Sequence, residues 1–192
     1  MSVEAPLKVV ICWHMHQPSY RDAGSGRYRL PWTYLHGIKD YVDMAALLEN
    51  APEARAVVNF TPTLLEQLSD YAAQIAAAME RRTELGDPML AALIAEQLPA
   101  QAEGREELIR AALRANEKRL INRFPSYRHL VDLARGALRN PAMLAYLSDQ
   151  YLADLLVWYH LAWLGETVRL NDMRAKRLMA KLHGYTLSLI HI

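Results

Sequence analysis

The chain has 192 residues, of which 52% are hydrophobic, and its 22 Lys and Arg almost balance its 21 Asp and Glu. Its length suits one domain with a sizeable core but is too short for a complete eight-unit β/α barrel. The balanced charge argues against nucleic acid as a partner. The sequence contains no signal peptide and no apolar run of the roughly 20 residues that span a bilayer. It therefore predicts a soluble, cytoplasmic protein without a membrane partner.

The first part of the chain follows the strand–helix–strand–helix order that is typical of a parallel sheet. The predicted elements are a strand at Leu7 to Trp13, a polar loop at His14 to Pro31, a helix at Tyr34 to Asn50, a strand at Ala54 to Phe60 and a helix from Pro62 to about Arg82. The first strand is mostly apolar and β-branched, which predicts burial on both faces. Functional residues are then expected at the carboxyl ends of these strands.

Cys12 is the single cysteine, so an intrachain disulfide is not possible. Its position in the apolar strand favours a buried structural thiol over a nucleophile. A chain without disulfides is consistent with a reducing compartment.

Residues 87 to about 181 have a different character, rich in Ala, Leu, Arg and Glu, and contain no strand-like run. Four prolines divide this part into helical segments: Pro88, Pro99, Pro125 and Pro141. We therefore expect an α/β fold whose first 86 residues carry the parallel βαβ units. Residues 87–186 form a mainly helical insertion or second half.

The last six residues, LSLIHI at positions 187–192, can be encoded by a DNA string that resembles the mosaic-end sequence of the transposase used to prepare sequencing libraries. Our hypothesis is that this tail is an adapter artefact and that the natural reading frame is interrupted near Thr186. The alternative is a short apolar strand at the C-terminus.

The strongest candidate site is the run Trp13-His14-Met15-His16-Gln17-Pro18. Residues two apart in a strand face the same side, so His14 and His16 are expected to project together from the first strand. Two imidazoles can bind a metal or hydrogen-bond a polar ligand, and Gln17 adds an amide donor and acceptor. The structural alternative is that one of these histidines is a satisfied core residue. Because the pair is followed by Gln-Pro, we favour a ligand-facing role.

Aromatic residues are concentrated in the loop that follows and at the start of the next helix: Tyr20, Tyr28, Trp32, Tyr34 and His36. Aromatic faces stack on the apolar faces of sugars while neighbouring polar groups bond the hydroxyls. Alternatively, the rings pack against the rest of the protein. Trp32, directly after Pro31, is the preferred candidate for sugar stacking.

A third block begins with Asn59 at the end of the second predicted strand, where its amide is expected to face the same opening as the two histidines. Thr61 is expected to cap the following helix. Glu66 lies inside that helix and is interpreted as a solvated surface residue.

Three stretches in this order resemble glycoside hydrolase family 57: WHMHQPSYR, LPWTYLHGIKDYVDM and VVNFTPTLLEQLSDY. The segment WYHLAWLGE, from Trp158 to Glu166, is similar to the helical region of that family. The resemblance implies the N-terminal part of an incomplete, seven-unit β/α barrel in a retaining enzyme that acts on α-1,4-glucan oligosaccharides or polysaccharides. It implies amylase-like or 4-α-glucanotransferase-like chemistry without a metal or other cofactor.

The same resemblance implies that His14, His16 and Gln17 line the subsite of the reacting sugar, with Trp32 and Asn59 as further contacts. The family's glutamate nucleophile and aspartate acid/base lie on later strands, and their motifs do not occur in this sequence. Retaining hydrolysis requires two carboxyl groups about 5–5.5 Å apart. We therefore assign no catalytic residue, since Glu49, Glu66 and Glu166 lack the family's surrounding motif. The chain alone is expected to be inactive and, with open strand edges, prone to aggregate.

Two other functions remain open at this stage. His-x-His at the end of a first strand also occurs in metal-dependent amidohydrolase barrels, where later strands supply more ligands. His129, His160 and His183 lie in predicted helices instead, which weakens that alternative. The other is a glycan-binding domain without turnover. The sequence does not separate hydrolysis from transfer, and it leaves the oligomeric state open.

Overall fold

The computed structural model describes residues 7–80 and 84–187 of the chain, and in these ranges the protein is mainly helical with a small parallel sheet. The hypothesis on the C-terminal tail concerns residues 187–192, of which 188–192 lie outside the described ranges. Within those ranges no helix combines the length and apolarity needed to cross a membrane. The strands are β1 (Cys12–Met15) and β2 (Val57–Phe60), and the α-helices are α1 (Trp32–His36), α2 (Val42–Glu49), α3 (Pro62–Met79), α4 (Pro88–Ile94), α5 (Ala102–Ala112), α6 (Pro125–Arg139), α7 (Asp149–Trp163), α8 (Glu166–Asn171) and α9 (Met173–Lys181).

The two strands pair in parallel, as the sequence predicts, with Cys12 opposite Val57 and Met15 opposite Phe60. Their bounds differ from the prediction because pairing begins at Cys12, so the apolar run from Leu7 to Ile11 precedes β1 instead of forming it. The expected burial on both faces is wrong for the described residues. Cys12 is exposed, and the exposed large apolar side chains include Val9, Val10, Ile11, Val57 and Phe60. No described element covers this part of the sheet.

The helix predicted at Tyr34 to Asn50 begins two residues earlier and contains a π-helical turn at Gly37–Tyr41 between α1 and α2. Pro62 is the first residue of α3, as expected of a proline in the first helical turn. Thr61 occupies the N-cap position of α3, but its side chain makes no capping hydrogen bond. Thr61 therefore lies at the expected N-cap position, but the expected hydrogen bond from its side chain is not formed.

The centre of the core is α7, which has buried residues on every side, from Leu152 to Trp163. A helix that is apolar all round needs neighbours on all faces, and α7 contacts α1, α4, α5 and α6. The core also includes Tyr28, Tyr34 and Tyr71 from the first part of the chain. The α/β class with a helical second half is therefore confirmed, while the division near residue 86 stays a prediction. In the described ranges the sheet has two strands, so a barrel is not shown.

The turn between α7 and α8 is joined to the π-helical turn through Gly165. The Gly165 N–H donates to the Ile38 carbonyl (3.0 Å), and the Asp43 carboxylate accepts from the N–H groups of Glu166 (2.7 Å) and Thr167 (2.9 Å). A Cβ at Gly165 would lie 2.6 Å from Asp43 Oδ1 and 3.0 Å from the Lys39 carbonyl oxygen. This close approach explains glycine at position 165, since its φ of −58° suits any residue.

We predict that Gly165→Ala and Gly136→Ala change stability in opposite directions. Gly165→Ala forces Asp43 and the π-helical turn apart and lowers the free energy of unfolding by about 1–3 kcal/mol. Gly136 lies in α6, where an added Cβ would meet no atom within 4 Å outside the helix's own backbone. Gly136→Ala therefore raises the free energy of unfolding by up to about 1 kcal/mol. Urea denaturation followed by circular dichroism measures both. Equal effects of the two substitutions would contradict the close contact at Gly165.

One buried histidine in α7 is held neutral. His160 Nδ1 donates to the Leu156 carbonyl (2.7 Å), and Nε2 accepts from the Tyr34 hydroxyl (2.8 Å). Burial lowers the pKa of His160 to about 4, although the bond to Leu156 acts in the opposite direction. Because protonation is harder in the folded than in the unfolded chain, the fold loses stability as pH falls.

The stability of the protein is therefore expected to fall between pH 6.5, the ordinary pKa of histidine, and pH 4, with about 3 kcal/mol attributable to His160. His160→Gln removes this titration and flattens the pH profile over that range. His129→Gln, an exposed position on α6, is the matched control and keeps the slope. Denaturation midpoints at several pH values measure the effect, and identical profiles for wild type and His160→Gln would contradict it.

Candidate carbohydrate site

The candidate site begins where β1 and β2 end side by side. His14 and Asn59 are opposite each other in the parallel register, and His14 Nδ1 donates to Asn59 Oδ1 at 2.8 Å. Residues that are register neighbours point to the same face of a sheet, which explains why these two side chains meet. His14 lies inside β1, not after it as predicted, because β1 extends to Met15.

The bond to Asn59 determines how His14 can contact a ligand. A carbonyl oxygen accepts only, so Nδ1 carries the proton and Nε2 of the neutral ring remains an acceptor. His16 follows on the same side, with its ring 6.1 Å from the His14 ring and nearly parallel to it (8°). Both histidines are exposed. Neither is therefore the buried core residue of the structural alternative.

Gln17 is held by two tyrosines. The Tyr20 hydroxyl donates to Gln17 Oε1 at 2.9 Å, and Gln17 Nε2 donates to the Tyr41 hydroxyl at 3.5 Å. These two contacts hold both ends of the amide in place. Burial, with a smaller contribution from Tyr41, raises the pKa of Tyr20, so its hydroxyl keeps the proton that it donates to Gln17.

The loop after β1 is tied to α3 by a buried amide. Gln67 Oε1 accepts from the Tyr20 N–H (2.9 Å), and Gln67 Nε2 donates to the carbonyls of Pro18 (2.9 Å) and Thr63 (3.1 Å). The loop then folds back on itself, with an antiparallel bridge between Arg21 and Tyr28. The position of Tyr20, and through it that of Gln17, therefore depends on α3.

Tyr20 also lines a cavity of about 570 Å³, which we call the aromatic cavity because half of its lining residues carry aromatic rings. Trp32 and Trp163 lie there with ring centroids 5.9 Å apart, and His36 meets Trp163 edge-on at 5.6 Å. The remaining lining residues are Leu113, Arg114, Ala115 and Asn116. Tyr20 therefore links the histidine and glutamine groups to Trp32, the predicted stacking residue.

The five aromatic-loop residues fall into two groups. Tyr20, Trp32 and His36 are partly exposed and line the cavity. Tyr28 stacks on Tyr71 at 4.1 Å and donates to Asp70, and Tyr34 donates to His160. Since Tyr28 and Tyr34 are buried in the core, they pack in the way that the structural alternative described.

Three cavity or site residues were missed by sequence reasoning: Tyr41, Asn116 and Trp163. Tyr41 ends the π-helical turn, and π-helical turns recur at functional positions, but a π turn has no simple sequence pattern. Trp163 ends α7 within the segment Trp158 to Glu166 that resembles the family. That resemblance was the available signal for it.

The charged groups near the cavity are mostly paired. Partial burial on its own would raise the pKa of Asp40, but the hydrogen bonds that Asp40 accepts from Lys39 and His36 together lower it. Glu166 is bonded to Arg169 and then to Arg123, and both hydrogen bonds lower its pKa. Among the residues that the structure describes, none with a carboxylate lines the aromatic cavity.

Within residues 7–80 and 84–187, no three His, Cys, Asp or Glu side chains gather in an arrangement that could hold a metal ion. His160, one of the later histidines that a metal-dependent barrel would require, is bonded through both ring nitrogens.

Imidazole and amide side chains beside aromatic faces are groups that can bond sugar hydroxyls and stack on sugar rings. The family model of glycosyl hydrolase family 57 matches residues 10–179, and the chain belongs to this family. Its members are glycoside hydrolases, so a carbohydrate is the substrate class that membership implies. Comparisons with curated proteins and with solved structures found no match.

Proposed function

We propose that this chain provides the subsite for the reacting sugar of a retaining enzyme that acts on α-1,4-glucans by double displacement, as an amylase-like hydrolase or a 4-α-glucanotransferase. The observation that carries the proposal is the parallel pair of His14 and His16 rings at the end of β1, next to Gln17. Two exposed imidazoles, one of them held by Asn59, near aromatic faces suit a ligand with many hydroxyl groups and apolar ring faces.

Two of the proposed contacts follow from hydrogen bonds already made. Because His14 Nδ1 donates its N–H to Asn59, Nε2 of His14 is left to accept a hydrogen bond from a sugar hydroxyl. Gln17, fixed by Tyr20 and Tyr41, bonds a second hydroxyl. Trp32 stacks on the neighbouring sugar unit in the aromatic cavity, so Asn59 acts through His14 and Trp32 acts directly.

We further propose that the catalytic carboxylates are supplied outside residues 1–192 and that the chain alone does not turn over substrate. Glu49 and Glu66 are exposed on α2 and α3, and Glu166 is engaged by two arginines. A retaining pair must be about 5–5.5 Å apart across the sugar. The uncovered sheet supports continuation into the incomplete seven-unit β/α barrel that the resemblance implies.

A glycan-binding role without turnover is the second candidate for the chain itself. It is favoured by one observation, the aromatic cavity whose lining holds no carboxylate. In both candidates the ligand is the same, and the difference lies in whether carboxylates from elsewhere reach the bound sugar.

The first prediction from this proposal concerns binding by the chain as it stands. Isothermal titration with maltoheptaose is expected to show binding that Trp32→Ala weakens by about tenfold, since the substitution removes a partly exposed aromatic face. Tyr146→Ala, which removes an aromatic ring that is 81% exposed and does not line the cavity, is the control and leaves the affinity unchanged. Equal affinities for all variants would contradict an aromatic glucan site.

The second prediction from this proposal concerns turnover of the substrate. In the protein that joins this segment to the catalytic carboxylates, His16→Ala is expected to lower kcat/KM for amylose by roughly 10- to 100-fold, the loss of one strong hydrogen bond at the reacting sugar. His183→Ala, an exposed histidine after α9, serves as the control. Full activity of His16→Ala would rule out the proposed role of this histidine.

A further inference from the structure

A second cavity, about 850 Å³, lies between the Arg27–Pro31 segment, α4 and α5, and we call it the arginine cleft. Four arginines line it: Arg27, Arg29, Arg110 and Arg114. A guanidinium group offers several N–H donors, no acceptor and a fixed positive charge, so it selects anionic oxygen groups. The cleft therefore differs in chemistry from the aromatic cavity.

The positive charge of the arginine cleft is only partly neutralised. Arg29 pairs with Asp22 and Arg110 pairs with Glu106, whereas Arg27 and Arg114 make no ion pair with any described residue. The carboxylates that line the cleft are Asp87 and Glu107.

Asp87 is already occupied, because it is buried and accepts hydrogen bonds from the Tyr71 hydroxyl and from the N–H groups of Met89 and Leu90. Glu107 is exposed. Two unpaired arginines therefore face a single unoccupied carboxylate.

The floor of the arginine cleft is apolar. Met89, Ala92 and Leu108 are buried there, and Leu30 and Pro31 form part of its wall. A bare inorganic ion would use the arginines and leave this floor without a partner. A ligand that combines an anionic group with apolar ring faces uses both, and a sugar that carries a phosphate is of this kind.

The arginine cleft adjoins the aromatic cavity. Arg114 lines both, and the adjacent residues Pro31 and Trp32 line one each. A ligand that contacts Trp32 is therefore within a few residues of the cleft.

We propose that the arginine cleft binds a phosphate group carried by the α-glucan, so that phosphorylated glucan is a preferred ligand of this chain. This inference rests on the proposed function, because the aromatic cavity positions the glucan that delivers the phosphate. Arg27 and Arg114 bind the phosphate, and Arg110 adds charge from α5.

The test compares maltotetraose, its 1-phosphate and inorganic phosphate by isothermal titration on the 192-residue chain. The phosphorylated ligand is expected to bind about tenfold more tightly than maltotetraose at low salt, as charge-assisted hydrogen bonds are added. Added NaCl reduces this advantage. The double variant Arg27→Gln/Arg110→Gln leaves the aromatic cavity intact and is expected to abolish the affinity advantage of the phosphorylated ligand. The control variant Arg119→Gln/Arg139→Gln changes two exposed arginines outside both cavities and is expected to keep that advantage.

Equal affinity for maltotetraose and its phosphate would overturn this inference and leave the proposed function standing. A phosphate advantage that persists in Arg27→Gln/Arg110→Gln would also overturn it, because the phosphate would then bind elsewhere. Binding of inorganic phosphate that depends on Arg27 and Arg110, without binding of maltotetraose, would support the anion site and contradict the proposed function. Circular dichroism of each variant excludes loss of the fold. If the folded chain binds none of these ligands, both this inference and the proposed function are overturned.

Discussion

The structure depends on the burial of α7 on every side. A helix without a polar face is stable in water only when other elements surround it, and α1, α4, α5 and α6 do so here. The same packing constructs the site. Trp163, the last residue of α7, is buried and meets Trp32 of α1, so the contact that completes the core also holds the partly exposed Trp32 ring in the wall of the aromatic cavity.

The second constraint is the junction between α7 and the π-helical turn. A π turn carries one more residue per turn than an α-helix and redirects the side chains that follow it. Here it leaves the Ile38 carbonyl to accept from Gly165 and places the Tyr41 hydroxyl near Gln17. A helical irregularity of five residues thereby connects the end of α7 to the amide at the end of β1.

Local patterns predicted the elements well because their causes are local. Pro62 begins α3 as predicted, and Pro88 and Pro125, which were expected to divide the second half into helical segments, begin α4 and α6. The spacing of two brings His14 and His16 to one side. The limits of β1 were misjudged because Leu7 to Ile11 have the composition of a buried strand, whereas a strand extends only as far as its partner pairs with it. Tyr41 and Trp163 could not be assigned, since their roles arise from contacts between distant elements that no local pattern encodes.

The polar residues at the strand ends are better explained by a function than by a contribution to stability. His14 and Asn59 are exposed, and their bond to each other adds little to the fold, because both groups would otherwise bond water. Met15, on the opposite face of the same strand, is buried and packs. A sequence selected for stability alone gains nothing from imidazoles and an amide at these positions. Their presence near an aromatic cavity is what the proposed function expects of residues that hold the hydroxyl groups of a ligand.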